Sequence, residues 1–265
     1  MRILSYNIHK GIGGRDRRYR FGRVLAVIEA ANPDIVCLQE VDRNVRRSRY
    51  HDQPQLLVDY FGDRQPLYQM NVRLKEGGYG NLVLTRWPVR AHHHISLRHE
   101  ERKPRGAQMA VLETPEGLLH VVHWHLGLAE RERRWQVRHL LSHALFRQAE
   151  SLPTMLIGDS NDWRNRLGGG VLGPYGFHQV TSPISRFRSF PSYLAMGSLD
   201  KAFVRGEIAI RQARVVRSRL ARVASDHLPL LIDFHLNLKQ SLKQNVEERG
   251  KQSALLENGK GSGAT

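Results

Sequence analysis

The sequence predicts an α/β fold, and three observations carry that reading. Residues 2–8 (Arg-Ile-Leu-Ser-Tyr-Asn-Ile) read as a strand, ended by Gly11, Gly13 and Gly14. Phe21, Val24, Leu25 and Ile28 recur at i, i+3, i+4 and i+7, the apolar stripe of one helix face. Ile35-Val36-Cys37-Leu38 follows the helix stop Asn32-Pro33-Asp34 and is a short apolar run of the kind that forms a strand buried on both faces. Strand, helix and strand by residue 38 make a βαβ unit.

The later elements follow in order. Residues 43–66 are polar and arginine-rich, with a short helix expected near 53–61. A strand is expected at 81–85, ended by Trp87-Pro88, and 92–105 reads as a charged loop that contains His92-His93-His94. Residues 107–113 and 118–125 read as a hairpin about Thr114-Pro115-Glu116-Gly117. Val137, Leu140, Leu141, Ala144 and Leu145 share one face of a long amphipathic helix expected over 129–149. Residues 153–158 form another strand, and 160–197 are loop-rich with a flexible point at Gly168-Gly169-Gly170. Strands at 198–204, 207–216 and 228–236 close the fold. One domain is expected over 1–237, followed by a polar, disordered tail over 238–265 that ends Asn-Gly-Lys-Gly-Ser-Gly-Ala-Thr.

Composition narrows the class. The chain has 265 residues, 40% apolar and 25% charged, which excludes intrinsic disorder for most of its length. No apolar run reaches the ~18 residues of a membrane-spanning helix, and the N-terminus lacks the apolar core of a secretory signal. Cys37 is the only cysteine, which excludes an internal disulfide and a cysteine-rich zinc site. Within its apolar run it reads as a small buried hydrophobe rather than a nucleophile. A cytoplasmic monomer is the expectation. The net charge is +16, and 33 of the 41 basic residues are arginines. Arginine grips phosphate with two prongs. The excess suits nucleic acid, a phosphorylated small molecule or an anionic membrane surface, or else charges spread over solvated faces.

Polar residues collect where strands end, the place where loops of α/β folds converge on a site. They are Asn7; Glu40 in Leu38-Gln39-Glu40; His125 in His123-Trp124-His125; Asp159 and Asn161 in Ile157-Gly158-Asp159-Ser160-Asn161; Asp200; and Asp226-His227. The set has no serine–histidine elbow and no cysteine nucleophile. Its oxygen ligands suit Mg²⁺ or Mn²⁺, and its histidines can contact phosphate or move a proton. The sum fits metal-assisted attack of water on a phosphoester.

These residues lie in seven blocks whose order resembles the endonuclease/exonuclease/phosphatase superfamily, which includes the DNase I-like nucleases. The blocks are Ser5-Tyr6-Asn7-Ile8, Leu38-Gln39-Glu40-Val41-Asp42, Gly80-Asn81-Leu82-Val83-Leu84-Thr85-Arg86-Trp87-Pro88, His123-Trp124-His125-Leu126, Gly158-Asp159-Ser160-Asn161-Asp162, Leu199-Asp200-Lys201 and Ser225-Asp226-His227-Leu228-Pro229. The resemblance implies a four-layer α/β/β/α sandwich of two packed mixed sheets flanked by helices. It implies Glu40 as central metal ligand, with Asn7 and Asp226 completing the site around one Mg²⁺. It implies His227 as the catalytic histidine and Asp200 as its orienting partner. Asp159 would position or deprotonate the attacking water, and Asn161 and His125 would stabilise charge on the phosphoryl oxygens. Two positions depart from the pattern. Ser160 stands where the family usually has an aromatic. His9 stands where some DNA-repair members have an acidic ligand, on the same face as Asn7 if the strand persists.

The expected function is a Mg²⁺-dependent phosphodiesterase of nuclease type. The arginine loops at 15–23, 43–49 and 131–138 would contact phosphates, with Arg20 and Arg131 as candidates. The alternative is a lipid-headgroup phosphodiesterase or inositol-phosphate-type phosphatase, with Phe187, Phe190 and Tyr193 as a lipid contact or base-stacking set. An inert phosphate-ligand-binding protein is disfavoured, because every expected catalytic residue is present.

Overall fold

Among the described residues, 1–236, the computed structural model has twelve strands in two mixed six-stranded sheets. In spatial order the first sheet is β11 (Ile208–Val215), β12 (Leu230–Leu236), β1 (Arg2–Asn7), β2 (Ile35–Arg43), β4 (Gly78–Thr85) and β3 (Gln65–Arg73). The second is β5 (Val89–Ser96), β6 (Gly106–Thr114), β7 (Gly117–His125), β8 (Thr154–Asp159), β10 (Asp200–Arg205) and β9 (His178–Gln179). The expected tail over 238–265 lies outside the described residues.

Helices cover the outer faces. α1 (Phe21–Ala31) and α5 (Arg219–Ala224) pack together on the first sheet, and α2 (Gln53–Phe61) packs on β2 and β3. Val24 and Ile28 of α1 and Ala221 of α5 share one apolar core with Ile3, Val36 and Leu231 of that sheet and with Met155 and Ile157 of the other. α3 (Glu130–Ser142) and α4 (Ala144–Gln148) bury Val137, Leu140 and Phe146 against Met109, Val122, Trp124 and Leu156 of the second sheet. Two apolar layers thus hold four layers of structure, because each sheet is apolar on both faces.

Three expectations need correction. The expected loop at 92–105 begins as a strand: β5 is an edge strand paired only with β6, and its exposed, basic side chains hide the period of two. His92 and His94 therefore share a strand face, with their Nε2 atoms 2.8 Å apart and no carboxylate partner among the described residues. β3 was not expected, for the same reason of partial exposure. The long helix over 129–149 is two helices, because His143 is extended (φ −66°, ψ 136°) and its Nδ1 caps α4 by accepting from Leu145 N at 3.3 Å. Gly168-Gly169-Gly170 begins a short helical turn rather than a bare hinge.

The strand pairing fixes where polar ends meet. β1 runs parallel to β2, with Asn7 beside Gln39, and β7 runs parallel to β8, with His125 beside Asp159. β10 starts antiparallel beside the end of β8, with Asp200 opposite Asp159. β12 starts beside the end of β1, so Asp226 and His227, just before it, arrive at the same edge.

Gly158 shows how tightly that edge is built. Its φ is +148°, and a Cβ there would lie 2.0 Å from the Trp124 carbonyl oxygen. Gly158→Ala is expected to cost about 1–3 kcal/mol in urea unfolding, through overpacking and backbone strain. An unchanged midpoint would contradict this packing.

Candidate active site

Asp159 is the hub. It is fully buried at the end of β8. Its Oδ2 accepts from Asn7 Nδ2 at 3.0 Å, lies 3.4 Å from His125 Nε2 and 3.7 Å from His227 Nε2. Its Oδ1 accepts from the backbone N–H of Asn161 at 3.0 Å. Asn161 is held with φ 50° and donates its side-chain amide to Leu126 O at 2.9 Å. Ser160 takes the place of an aromatic by bonding: its Oγ donates to Leu199 O at 2.6 Å, tying the end of β8 to the entry of β10.

His227 lies between two carboxylates. Its Nδ1 bonds Asp200 Oδ2 at 2.9 Å, and the same oxygen accepts from Ser189 Oγ at 2.5 Å. Phe190 packs against the imidazole at 4.8 Å between centroids. Burial alone would hold this ring neutral, but Asp200 and Asp159 outweigh it and raise His227 to about 10. Burial pushes the Asp159 carboxyl up to about 6, against the opposing pull of the His227 charge. His125 behaves the opposite way: burial and then the Arg105 charge press it well below its ordinary value, so it is neutral. At neutral pH the centre holds an imidazolium, two carboxylates and a neutral imidazole, a set that can take and give protons.

Of the expected metal ligands, only Asn7 bonds the hub among the described residues. Asn7, Glu40 and Asp226 form no hydrogen bonds to one another among the described contacts. Glu40 pairs with Lys10, and Asp226 Oδ2 lies 3.8 Å from His9 Nδ1. Burial opposes the Glu40 charge, yet Lys10 first, then Lys103 and His9, bring it down to about 2. No group of three His, Cys, Asp or Glu side chains is arranged to hold a metal among the described residues. The donors are nonetheless hard oxygens with an ionised carboxylate at their centre, which fits Mg²⁺ chemically. Lys10 is the competing cation.

His9 was expected on the face of Asn7 only if the strand persisted, and it does not persist. Instead β1 ends at Asn7, His9 and Lys10 turn with φ 45° and 62°, and His9 N donates to Asn7 Oδ1 at 3.1 Å. His123 is buried behind the site and pushed by burial to about 3. Asn81 donates to Gly106 O at 3.0 Å, a supporting bond. Arg20 and Arg131 are exposed and make no contact with the centre among the described residues. Phe187 is buried in the core, so it is removed from the expected lipid or base contact. Lys10, Arg105 and Ser189 were missed. Lys10 directly follows Asn7-Ile8-His9, a usable signal; Arg105 was lost in a basic loop; Ser189 carried no signal.

The model of the Endonuclease/Exonuclease/phosphatase family matches residues 4–227. The chain belongs to that family. Its members are hydrolases acting on phosphate esters. A curated relative, the uncharacterized protein YbhP of Escherichia coli K12, is 28% identical over 89% of this chain and 96% of its own. Among solved structures, an endonuclease/exonuclease/phosphatase from Beutenbergia cavernae superposes with TM-score 0.71 at 20% identity, over 89% of this chain and 71% of that one. The mannosyl-6-phosphatase of Bacteroides thetaiotaomicron gives 0.71 at 14%, over 88% and 99%. The human Nocturnin catalytic domain, solved with sulfate, gives 0.71 at 21%, over 89% and 94%. These likenesses show the family's fold of two packed mixed sheets flanked by helices. No helix among the described residues is long and apolar enough to cross a membrane.

The Asp200–His227 bond yields a direct test. Asp200→Asn removes the leading charge that raises His227, so the imidazole is expected to titrate at lower pH in NMR. An unmoved titration would mean that Asp200 does not control this ring.

Proposed function

We propose that the protein is a divalent-metal-dependent phosphoesterase that hydrolyses a phosphodiester, nuclease fashion, by attack of water. The supporting observation is the convergence on Asp159 of Asn7, His125 and the Asp200-held His227. Asp159, buried and ionisable near neutrality, takes the proton of the attacking water. His227, kept protonated and oriented by Asp200, presents Nε2–H to a phosphoryl oxygen. Neutral His125 and Asn161 supply further contacts to developing negative charge. Asn7, Glu40 and Asp226 would hold Mg²⁺, or Mn²⁺, which supplies Lewis-acid polarisation of the phosphoester. Each residue thus acts by position and charge, with no covalent intermediate on the protein.

A second reading, hydrolysis of a lipid headgroup or an inositol-type phosphate, is favoured by one feature. Trp163 packs edge-on against Phe190, and exposed Tyr193, Leu194 and Met196 follow it along the rim. An apolar leaving group would fit there as well as a nucleobase. The Bacteroides relative is a phosphatase of a phosphorylated sugar, which keeps monoesters in view.

Nicking of supercoiled plasmid in Mg²⁺ tests the first reading. Wild type is expected to nick, EDTA to stop it, and His227→Ala to slow it by roughly 10²–10⁴-fold. Near-normal nicking by a folded His227→Ala would remove this residue from the chemistry. Failure of folded wild type to nick, with turnover of headgroup or inositol phosphates, would select the second reading.

The pH profile has a defined sign. Turnover should rise with pH as Asp159 ionises, at or below about 6, and fall as His227 loses its proton near 10. A nearby bound cation favours the carboxylate and moves the acid limb down, never up. The limbs belong to the coupled pair, so Asp159→Asn should erase the acid limb along with most of the rate. A residual activity that keeps the same acid limb would exclude Asp159 as the base.

A further inference from the structure

Arg105 is anomalous. It is 7% exposed, yet among the described residues it pairs with no carboxylate. Its Nη1 lies 2.8 Å from Nε2 and 3.1 Å from Nδ1 of His125, and its Nε has no partner. A buried guanidinium facing a neutral ring is costly to hold without an anion. The fold nevertheless fixes it: Asn81 anchors the adjacent Gly106 carbonyl, and Asn71 and Gln69 crowd the Gly106 Cα so closely that a Cβ there would meet Asn71 Oδ1 at 2.1 Å.

The same residue lines a groove of about 480 Å³ between the ends of β3 and β5. Arg73 and Arg98 line it too, and no carboxylate does. Arg98 reaches Glu101 only at 3.4 Å on the exposed side, and Arg73 has no ion pair among the described residues. Arg105 therefore touches His125 at the catalytic centre and also lines a groove shared with two further arginines. Guanidinium forks match phosphate oxygens.

We infer that this groove is an anion subsite in which Arg105, with Arg73 and Arg98, binds a second phosphate of the substrate beside the one that is cleaved. The inference rests on the phosphoesterase reading and sharpens it: the substrate carries at least two phosphates. Asn81 is a positioning residue for the subsite, because it holds the carbonyl of Gly106, the residue after Arg105.

The test compares thymidine 3′,5′-bisphosphate with thymidine 5′-monophosphate by titration calorimetry of the full chain in EDTA. The bisphosphate is expected to bind at least ~10-fold more tightly. That preference should vanish in Arg105→Ala, persist in part in Arg105→Lys, and shrink in the Arg73→Ala/Arg98→Ala double variant. Exposed Arg147 on α4, away from the groove, is the control for general charge. Equal binding of the two nucleotides by wild type, or equal loss of preference in Arg147→Ala, would overturn the subsite. If Arg105→Ala does not fold, the Arg105→Lys and double variants decide. A parallel assay uses the p-nitrophenyl ester of thymidine 5′-phosphate, with and without a 3′-phosphate, in Mg²⁺. Turnover with no preference for the second phosphate would overturn the subsite alone, whereas no turnover of either, with the bisphosphate preference intact in calorimetry, would overturn the nuclease-type reading and leave the subsite standing. Oligothymidylates then separate two supporting sources: affinity that grows with length indicates polynucleotide, and a plateau at two phosphates indicates a small bisphosphorylated molecule.

Discussion

The two sheets are held in one alignment by hydrogen bonds that cross the space between them. Asn7 on β1 reaches Asp159 on β8, and Gln39 on β2 meets His123 on β7 at 2.6 Å. Gln69 and Asn81, on β3 and β4, donate to the carbonyls of Ile95 and Gly106 at 3.1 and 3.0 Å. Gln108 on β6 donates back to Leu67 O at 2.6 Å. Apolar packing between sheets is strong but nearly indifferent to small slides. Buried polar groups are not indifferent, because a slide strands donors and acceptors at a cost of about 1–3 kcal/mol each. The site needs that register. Asn7, Glu40, Asp226 and His227 arrive with the first sheet, while His125, Asp159, Asn161 and Asp200 arrive with the second.

Those bonds also settle a tautomer. His123 is neutral, so one ring nitrogen donates and the other accepts. Gln108 keeps its amide hydrogens on Leu67 O and offers Oε1 to His123 Nδ1 at 3.1 Å. Nδ1 therefore carries the hydrogen, and Nε2 accepts from Gln39, whose amide also reaches Ser5 Oγ at 3.1 Å. The chain from β6 to β1 engages both ring nitrogens of His123 and leaves it nothing to titrate. The catalytic centre differs because its charges are paired rather than removed. Two buried carboxylates flank one imidazolium, and each would be costly alone. This contrast assigns His123 to architecture and His227 to chemistry, although both are buried histidines near strand ends.

Much of this was legible in the sequence, for identifiable reasons. β1, β2, β7 and β8 are buried on both faces, so their apolar runs stand out, and the polar residues that end them are conspicuous. That is why Asn7, His125 and Asp159 could be read in advance as neighbours. β3 and β5 sit at sheet edges with mixed exposure, and their patterns dissolve into polar and basic sequence. Arg105 was invisible for a related reason. It belongs to a stretch with Arg102 and Lys103, and nothing local distinguishes a cationic side chain bound for the interior from two that stay in water. Ser189 bonds Asp200 across 11 residues of loop, a contact no periodicity encodes.

Glu40 shows how the site departs from the rules that make its surroundings legible. Strict alternation along β2 would set Glu40 on the face opposite Gln39, away from the space between the sheets. The pairing of β2 with β4 shifts register between Leu38 and Val41, and Glu40 itself has φ 59°. A bulge of this kind inserts a residue and re-aims a side chain. Here it brings the carboxylate to Lys10, whose own φ is 62°. His9 and Asn161 have positive φ as well, so four non-glycine residues in costly backbone conformations lie at the strand ends that form the site. Such strain persists only where packing on both sides enforces it. The cross-sheet bonds and the two apolar layers supply that enforcement. The rigid sandwich and the irregular site are thus one arrangement, since only a frame aligned so tightly could hold its strand ends in shapes the strands themselves would not adopt.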